Sequence, residues 1–151
     1  MIKIHVINDQ NVLQEALDLR AEVFVTEQKV PATDEVDYLD NMVAIGNGSV
    51  IHVVAISDQQ IAGTARLILD VPEGEYPHIG RVAVKKELRG RQIGRNIMDK
   101  LHQIAKGKGF AGVTLSAQVE VKDFYTSLGY VQRGKTYMDV GIPHQDMDYR
   151  F

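Results

Sequence analysis

Cysteine is absent from this chain of 151 residues. Without a thiol the protein forms no disulfide bond, no cysteine-ligated zinc site and no covalent acyl-enzyme through a cysteine nucleophile. Long apolar runs are also missing, since no stretch approaches the ~20 residues that cross a membrane. Residues 1–6 lack the cleavage pattern of a signal peptide. We therefore expect a cytoplasmic protein with no membrane partner.

The net charge of the chain is small, but its charged residues are unevenly distributed along the sequence. The 17 Lys and Arg and 20 Asp and Glu give a formal net charge of −3 at pH 7, which argues against a general nucleic-acid-binding protein. Residues 81–108 contain nine Lys and Arg but only two acidic residues, whereas residues 27–40 contain five acidic residues and one Lys. The basic segment suits a polyanionic cofactor and the acidic segment suits a cation, although two solvated faces would give the same pattern.

The hydrophobic pattern predicts one α+β domain spanning residues 1–151, with a mixed sheet. Strands are expected at residues 2–7, 50–57, 61–69, 78–84, 113–118, 130–138 and 147–151. A first helix should be capped by Asn8 or Asn11 and end before Pro31. Further helices are expected at residues 93–106 and 121–128. The short turn at residues 58–60 predicts an antiparallel hairpin.

The most informative segment joins the strand at residues 78–84 to the helix that begins near Ile93. The connecting loop contains Arg89, Gly90, Arg91, Gln92, Gly94 and Arg95. The first N–H groups of the helix have no partner within the helix, and the helix dipole adds partial positive charge, so this end predicts an anion site. The glycines allow close approach to the backbone, and the arginines can add charge-assisted contacts.

This segment resembles motif A of the GCN5-related N-acetyltransferases, the GNAT superfamily. Arg89, Arg91 and Gly94 match the motif, whereas Gln92 stands where the family usually has its first Gly. We expect Gln92 to keep an ordinary negative φ or to turn its side chain away. The resemblance implies acetyl-CoA as co-substrate, with its diphosphate on the amides of residues 90–95. The alternative is a solvated basic helix start in any α/β domain.

A second segment, residues 118–130, resembles motif B of the same family. Phe124, Tyr125 and Gly129 match, while Gln118 replaces the usual Asn. The resemblance implies that Tyr125 acts as general acid on the departing thiolate, although a Tyr on a short helix is often a core residue. Together the two motifs imply a cofactor-binding set made of Val82, Ala83, Val84, Arg89, Gly90, Arg91, Gln92, Ile93, Gly94, Arg95, Gln118, Phe124 and Tyr125.

The strand at residues 78–84 carries a further implication of the resemblance. Backbone groups at Val82 and Val84 are expected to bind the pantetheine arm, and one N–H is expected to polarise the thioester carbonyl as an oxyanion hole. Many family members have a Glu base two residues before Val82, where this chain has Gly80. A different base must then take the proton of the amine. Glu27 is the leading candidate, with His78, Glu120 and bulk water as alternatives.

Residues 19–31 and 141–144 look like those of the ElaA- and YjcF-like group of small bacterial acetyltransferases. Residues 20–66 also resemble acyl-homoserine-lactone synthases in the spacing of Arg and acidic residues. In those synthases the acidic cluster helps to hold an amine-bearing donor, so the second resemblance and the charge of the segment together place the acceptor amine beside it. The candidate acceptor contacts are Arg20, Glu27, Glu35, Asp37, Asp40 and His144. An ion-paired network in which Arg20 and Arg66 hold the acidic loop is the alternative.

The sequence therefore predicts an acetyl-CoA-dependent N-acetyltransferase that transfers the acetyl group directly, in a ternary complex, to a primary amine of a small molecule or a protein. The expected fold is the GNAT fold, with a twisted, mixed and mostly antiparallel sheet of about six to seven strands flanked by helices. The reaction implies no metal. An acyl-homoserine-lactone-synthase-like acyltransferase and a non-catalytic acyl-CoA-binding sensor are the rival functions. The oligomeric state, including a homodimer, is left open.

Overall fold

A computed structural model describes residues 1–151 and contains one seven-stranded sheet. The strand order is β1-β2-β3-β4-β5-β7-β6, and every neighbouring pair is antiparallel except β4 and β5. The strands are β1 (Ile2–Val6), β2 (Val50–Ser57), β3 (Gln60–Ile68), β4 (His78–Val84), β5 (Gly112–Gln118), β6 (Val131–Asp139) and β7 (Ile142–Arg150). The predicted mixed, mostly antiparallel sheet is confirmed.

Five α-helices flank this sheet. They are α1 (Gln10–Arg20), α2 (Ala32–Glu35), α3 (Met42–Gly46), α4 (Ile93–Gly107) and α5 (Lys122–Ser127). A π-helix, Ala21–Glu27, continues α1, and short 3₁₀ turns lie at Lys86–Leu88 and Val119–Val121. The cap of α1 is Asp9, whose Oδ1 accepts from the N–H of Val12 at 2.9 Å, so the expectation of an Asn cap was wrong. No helix is both long and apolar enough to cross a membrane.

Strand β7 begins five residues earlier than the sequence predicted. Pro143 was expected to lie in a loop, but it pairs with Met138 of β6. It lies one residue before β7 starts to pair with β5, where the first partners are Gln118 and His144. Proline has no N–H to donate, but β7 is not yet paired with β5 at this residue, so no hydrogen bond to β5 is lost.

The alternating residues of β3 divide the interior into two layers. Ala65 and Leu67 face α4 in the main apolar core, which also includes Ile97 and Leu101 of that helix. Thr64 and Arg66 therefore face the opposite side, because successive strand residues point to opposite faces. That side is covered by α1 and by residues 30–46. The apolar stripe of α4 thus fixes the helix on the sheet and sets the position of its N-terminus.

The only parallel pair of the sheet opens into a cleft. Strands β4 and β5 pair at just two positions, His78 with Thr114 and Ile79 with Leu115. Beyond them β4 contains a bulge against β3, where Arg81 has a φ of +53°. A bulge bends its strand and increases the local twist, so β4 and β5 separate toward the N-terminus of α4.

Candidate active site

A cavity of about 1240 Å³ occupies the cleft between β4 and β5. Its wall is formed by β4, by the loop that leads into α4, by the end of β5, by α5 and by residues 23–35. The cavity therefore runs from the N-terminus of α4 at one end to Arg66, Gly80 and Glu35 at the other. We call these the helix end and the arginine end of the cavity.

At the helix end, α4 begins without a side-chain cap. The backbone N–H groups of Ile93, Gly94 and Arg95 donate no hydrogen bond within the protein, and all three residues line the cavity. Free N–H groups at a helix N-terminus, together with the helix dipole, favour a bound anion. The geometry of this end therefore fits a phosphate or diphosphate group.

Gln92 lies at the N-cap position of α4 with a φ of +67°. The expectation of an ordinary negative φ was wrong. Left-handed backbone costs a residue with a side chain roughly 1–2 kcal/mol, and glycine avoids this cost. The loop therefore keeps the conformation that glycine favours although this chain has Gln there, and the side chain is exposed.

Most residues predicted to bind the cofactor line this one cavity, but Arg91 does not. The lining includes Val82, Ala83, Val84, Arg89, Gly90, Gln92, Ile93, Gly94, Arg95, Gln118, Phe124 and Tyr125. Arg91 is exposed on the same loop. The structure thus brings residues from three separate stretches of the chain into one wall.

Arg89 and Glu27 form an ion pair at the rim of the helix end. The Nη2 of Arg89 lies 2.8 Å from Oε2 and 3.2 Å from Oε1 of Glu27, and its Nε donates to the carbonyl oxygen of Val84 at 3.0 Å. Glu27, the leading candidate for the base, is not part of the cavity wall. Its carboxylate holds Arg89 instead, and thereby ties the π-helix to the loop before α4.

The edge of β4 that faces the cleft exposes backbone groups of Val82 and Val84. The N–H of Lys85 donates to Ala62 of β3 at 2.8 Å. Because successive residues of a strand direct their N–H and C=O groups alternately to its two edges, Val84 and Val82 direct theirs away from β3. This edge can donate hydrogen bonds to a group held in the cleft.

Tyr125 lies in the cavity wall opposite that edge. Its ring packs between Phe124 and Tyr130, with ring centroids 5.0 and 5.8 Å away. Its hydroxyl has no hydrogen-bond partner within the protein, unlike that of Tyr130, which bonds His102 at 2.6 Å. Burial raises the pKa of Tyr125 to about 12, so the phenol is protonated at neutral pH and can act as a proton donor.

At the arginine end, the acidic segment forms a buried ion-pair network. Arg20, of which 1% is exposed, contacts Glu35 and Asp40 at 2.7 Å each. Arg66 contacts Asp37 at 2.7 Å and Asp40 at 3.0 Å. Burial favours the neutral carboxyl of Asp40, but hydrogen bonds and charge from Arg20 and Arg66 hold its pKa well below the usual range.

This network separates the residues predicted to contact the acceptor. Arg20, Asp37 and Asp40 lie outside the cavity wall, whereas Glu35 and His144 are part of it. The arrangement corresponds to the alternative that the sequence left open, in which arginines hold the acidic loop. His52 and Arg81 belong to the same cluster. The sequence predicted neither, because their partners Asp40 and Glu35 lie far from them along the chain.

His144 has a defined tautomer in the cavity wall. Its Nδ1 lies 2.7 Å from the carbonyl oxygen of Ile142, a contact that requires a proton on Nδ1. The ring stacks on Tyr137 with centroids 6.1 Å apart. In the neutral ring Nε2 therefore carries the lone pair and can accept a proton. No group of three or more His, Asp or Glu side chains is arranged to hold a metal ion.

Comparisons with known proteins agree with this geometry. A family model described as an acetyltransferase (GNAT) domain matches residues 9–151. The chain is 33% identical over 147 residues to the uncharacterized N-acetyltransferase YjcF of Bacillus subtilis, covering 97% of this chain and 98% of that protein. The crystal structure of Escherichia coli ElaA superposes with a TM-score of 0.85 at 29% identity, covering 98% and 99% of the two chains. The crystal structure of an acyl-CoA N-acyltransferase from Pseudomonas aeruginosa superposes with a TM-score of 0.82 at 31% identity, and the match again covers 98% of this chain and 99% of that chain.

Proposed function

Because the chain belongs to the GNAT acetyltransferase family, and within it to the ElaA- and YjcF-like group, we propose that it transfers the acetyl group of acetyl-CoA directly to a primary amine in a ternary complex. The observation that carries this proposal is the single cavity that joins the uncapped start of α4, the open edge of β4 and Tyr125. Acetyl transfer from CoA needs an anion site for the diphosphate, hydrogen-bond donors for the oxyanion and a proton donor for the departing thiolate. This cavity brings a candidate for each of the three together.

The cofactor-binding role falls to the helix end. The free N–H groups of Ile93, Gly94 and Arg95 suit the diphosphate of CoA. Arg89 and Arg91 add positive charge at the rim. Beyond the diphosphate, the pantetheine arm would follow the open edge of β4 at Val82 and Val84, while Gln118 and Phe124 line the facing wall.

The chemistry falls to the groups that meet in the cleft. An N–H of Val82 or Val84 on the open edge would stabilise the oxyanion that forms when the amine attacks the carbonyl. Tyr125, protonated at neutral pH, would donate its proton to the departing thiolate. The loss of the thiolate then breaks the C–S bond and leaves the amide.

The general base of this mechanism is His144. Its neutral ring has a proton on Nδ1 and a lone pair on Nε2, and it lines the cavity. Glu27 was the leading candidate from the sequence, but its carboxylate is bound to Arg89 outside the cavity wall. Glu35 lines the acceptor side, while Arg20, Asp37 and Asp40 act as the scaffold beneath it.

The test is Tyr125→Phe assayed for thiol release with acetyl-CoA and a broad panel of primary amines. Turnover should fall by ~10²- to 10⁴-fold, the usual range for lost acid catalysis, while acetyl-CoA affinity measured by calorimetry stays unchanged. Tyr130→Phe is the matched control, because its hydroxyl bonds His102 outside the cavity wall. Full turnover in Tyr125→Phe would assign Tyr125 to packing alone.

The same assay separates the rival functions. Product analysis with acyl carrier protein and S-adenosylmethionine would detect an acyl-homoserine-lactone-synthase-like activity. Tight CoA binding without acetylation of any amine would indicate a non-catalytic sensor. A cytoplasmic location and the lack of a nucleic-acid partner stay predictions of the sequence, and the oligomeric state stays open.

A further inference from the structure

Gly80 leaves open space at the arginine end of the cavity. A Cβ atom built at Gly80 has no heavy atom within 4 Å, and the residue lines the cavity. In the β3–β4 register Gly80 is paired with Arg66. Because paired residues on neighbouring strands point to the same face, this space lies beside the Arg66 side chain.

Arg66 has one donor that the protein does not use. Its side chain is 4% exposed, and both terminal nitrogens bind carboxylates, Nη1 those of Asp37 and Asp40 and Nη2 that of Asp37. The Nε of Arg66 is the one buried side-chain polar atom that lacks a hydrogen-bond partner. Buried donors are nearly always paired, so this N–H indicates a partner that the chain does not supply.

Arg81 contributes a second incompletely used guanidinium. The bulge and the positive φ of Arg81 turn it toward residues 34–37. Its Nε and Nη2 donate to the backbone oxygens of Glu35 and Asp34, at 3.1 and 3.4 Å, and the nearest carboxylates stand 3.8 and 3.9 Å away. Its Nη1 donates to no protein atom, and 30% of the side chain is exposed.

The local potential at Arg81 favours an anion. Burial lowers the pKa of Arg81 first, and the charges of Arg66 and Arg20 lower it more than Glu35 and Asp37 raise it. The carboxylates of the network are already bound to arginines, so they offer little to a cationic acceptor. The donors left over belong to Arg66 and Arg81.

This space lies beyond the reacting centre. Val82 is two residues further along β4, and an extended strand rises about 3.3 Å per residue. A group held beside Gly80 is therefore within several bonds of an amine that attacks near Val82. Arg66 and Arg81 both line the cavity together with Gly80, and donors from two separate side chains suit the two oxygens of a carboxylate.

We propose that the acceptor is an amine with a carboxylate a few bonds away, such as an amino acid, and that Arg66 and Arg81 bind this carboxylate in the space beside Gly80. This inference rests on the proposed function. It replaces the cationic acceptor that the acidic segment suggested, because four of the five carboxylates of that segment, all but Asp34, are paired with arginines.

The first test compares matched acceptors with acetyl-CoA: phenylalanine, phenylalaninamide and phenethylamine, and the same three forms of the other amino acids. For accepted side chains, kcat/KM of the acid should exceed that of the amide by ~10- to 100-fold, the usual value of a charge-assisted contact. O-phosphoethanolamine tests whether the site prefers a phosphate. Equal rates for acid and amide, or a preference for the phosphate, would overturn the inference.

Variants then locate the carboxylate. Arg81→Gln should remove the preference for the acid, so that kcat/KM of the acid falls to that of the amide in the same variant. Gly80→Glu should place a competing carboxylate beside the two arginines, and Gly80→Gln is the control of equal size without charge. Calorimetry should show unchanged CoA affinity in all three variants. If Gly80→Glu and Gly80→Gln affected acid and amide alike, the carboxylate would bind elsewhere and the inference would fail.

A direct binding measurement keeps the two proposals separate. If CoA binds but no amine is acetylated, the proposed function fails. NMR titration of the protein–CoA complex with each amino acid and its amide then tests the inference alone. Selective binding of the acid that is lost in Arg81→Gln would support it, and equal binding of acid and amide would overturn it.

Discussion

The helix end and the arginine end of the cavity both contain arginines, but the two ends differ in how completely these arginines are paired with carboxylates. At the helix end, the Arg89 side chain is 43% exposed and shares a single carboxylate, that of Glu27. At the arginine end, the Arg20 side chain is 1% exposed and holds two carboxylates. The exposed Arg89, near free N–H groups, can bind a polyanion, whereas the buried Arg20 holds the acidic loop in place. Pairing with the protein's own carboxylates and carbonyl groups leaves only the Nε of Arg66 and the Nη1 of Arg81 without an acceptor at the arginine end.

The largest expected effect is the loss of a buried partner. Arg20→Met would remove the guanidinium that pairs with the carboxylates of Glu35 and Asp40. Removing one partner of a buried ion pair costs ~3–5 kcal/mol. Urea denaturation should show this loss in the free energy of unfolding. Arg91→Met is the matched control, since an exposed substitution changes stability by about 0.5 kcal/mol or less. Equal losses in both variants would erase the distinction between the two ends.

A smaller effect is expected on ligand affinity at the helix end. The double variant Arg89→Ala, Arg91→Ala should weaken CoA binding by ~10- to 100-fold, because charge-assisted phosphate contacts are lost. Binding of pantetheine, which has no diphosphate, should change far less. Arg133→Ala on the outer strand β6 is the control. Calorimetry that found equal losses for CoA and pantetheine would move the diphosphate away from this loop.

The arginine end should also make stability fall in acid. Burial lowers the pKa of His52, which belongs to the ion-pair cluster, from the ordinary 6.5, so the unfolded chain binds this proton first and stability declines below about pH 6.5. His102, on α4 outside the arginine end, adds to the same decline because burial lowers its pKa as well. The pKa of Asp40 is also lowered, from 3.8, so its contribution is present above that value and is lost as the pH falls further. His52→Gln should reduce the first decline, whereas the control His5→Gln, at an exposed residue, should not. Chemical denaturation at several pH values measures both variants.

The smallest effect concerns the backbone of the helix end. Gln92→Gly would remove a left-handed strain of roughly 1–2 kcal/mol, against an entropic cost of about 0.5–1 kcal/mol for glycine. A gain of up to ~1 kcal/mol should appear as a higher Tm. Gln59→Gly, at a φ of +66° in the β2–β3 turn, should gain a similar amount without changing CoA affinity. A destabilised Gln92→Gly would show that the Gln side chain stabilises the loop.

The helix end was predictable because its residues are contiguous in the sequence. The strand, the basic loop and the apolar stripe of α4 follow one another, so local periodicity was enough to locate the free helix N-terminus. Strand β4 has the predicted bounds, His78–Val84. The positive φ of Gln92 was missed because its residue type gives no sign of left-handed backbone.

The arginine end was only partly predictable, since its contacts join residues far apart in the chain. Arg20 bonds Glu35 and Asp40, 15 and 20 residues away, and Arg66 bonds Asp37, 29 residues away. The charges were visible in the sequence, but their pairing depends on which face of β3 carries Arg66. The ion pair of Glu27 could not be predicted for the same reason, because its partner Arg89 lies 62 residues away.

Because β4 and β5 pair at only two positions, the width of the cleft between them depends on the packing of the apolar core. The two halves of the sheet pair only at His78 and Ile79, next to the hydrogen bond that the N–H of Thr114 donates to Pro77. Leu101 of α4 packs in one apolar cluster with residues of both halves. Helix α4 therefore holds the two halves of the sheet together where few backbone contacts join them. Trimming a side chain deep under the sheet would let the halves shift, so a substitution such as Leu101→Ala would alter how tightly the cleft grips its ligands.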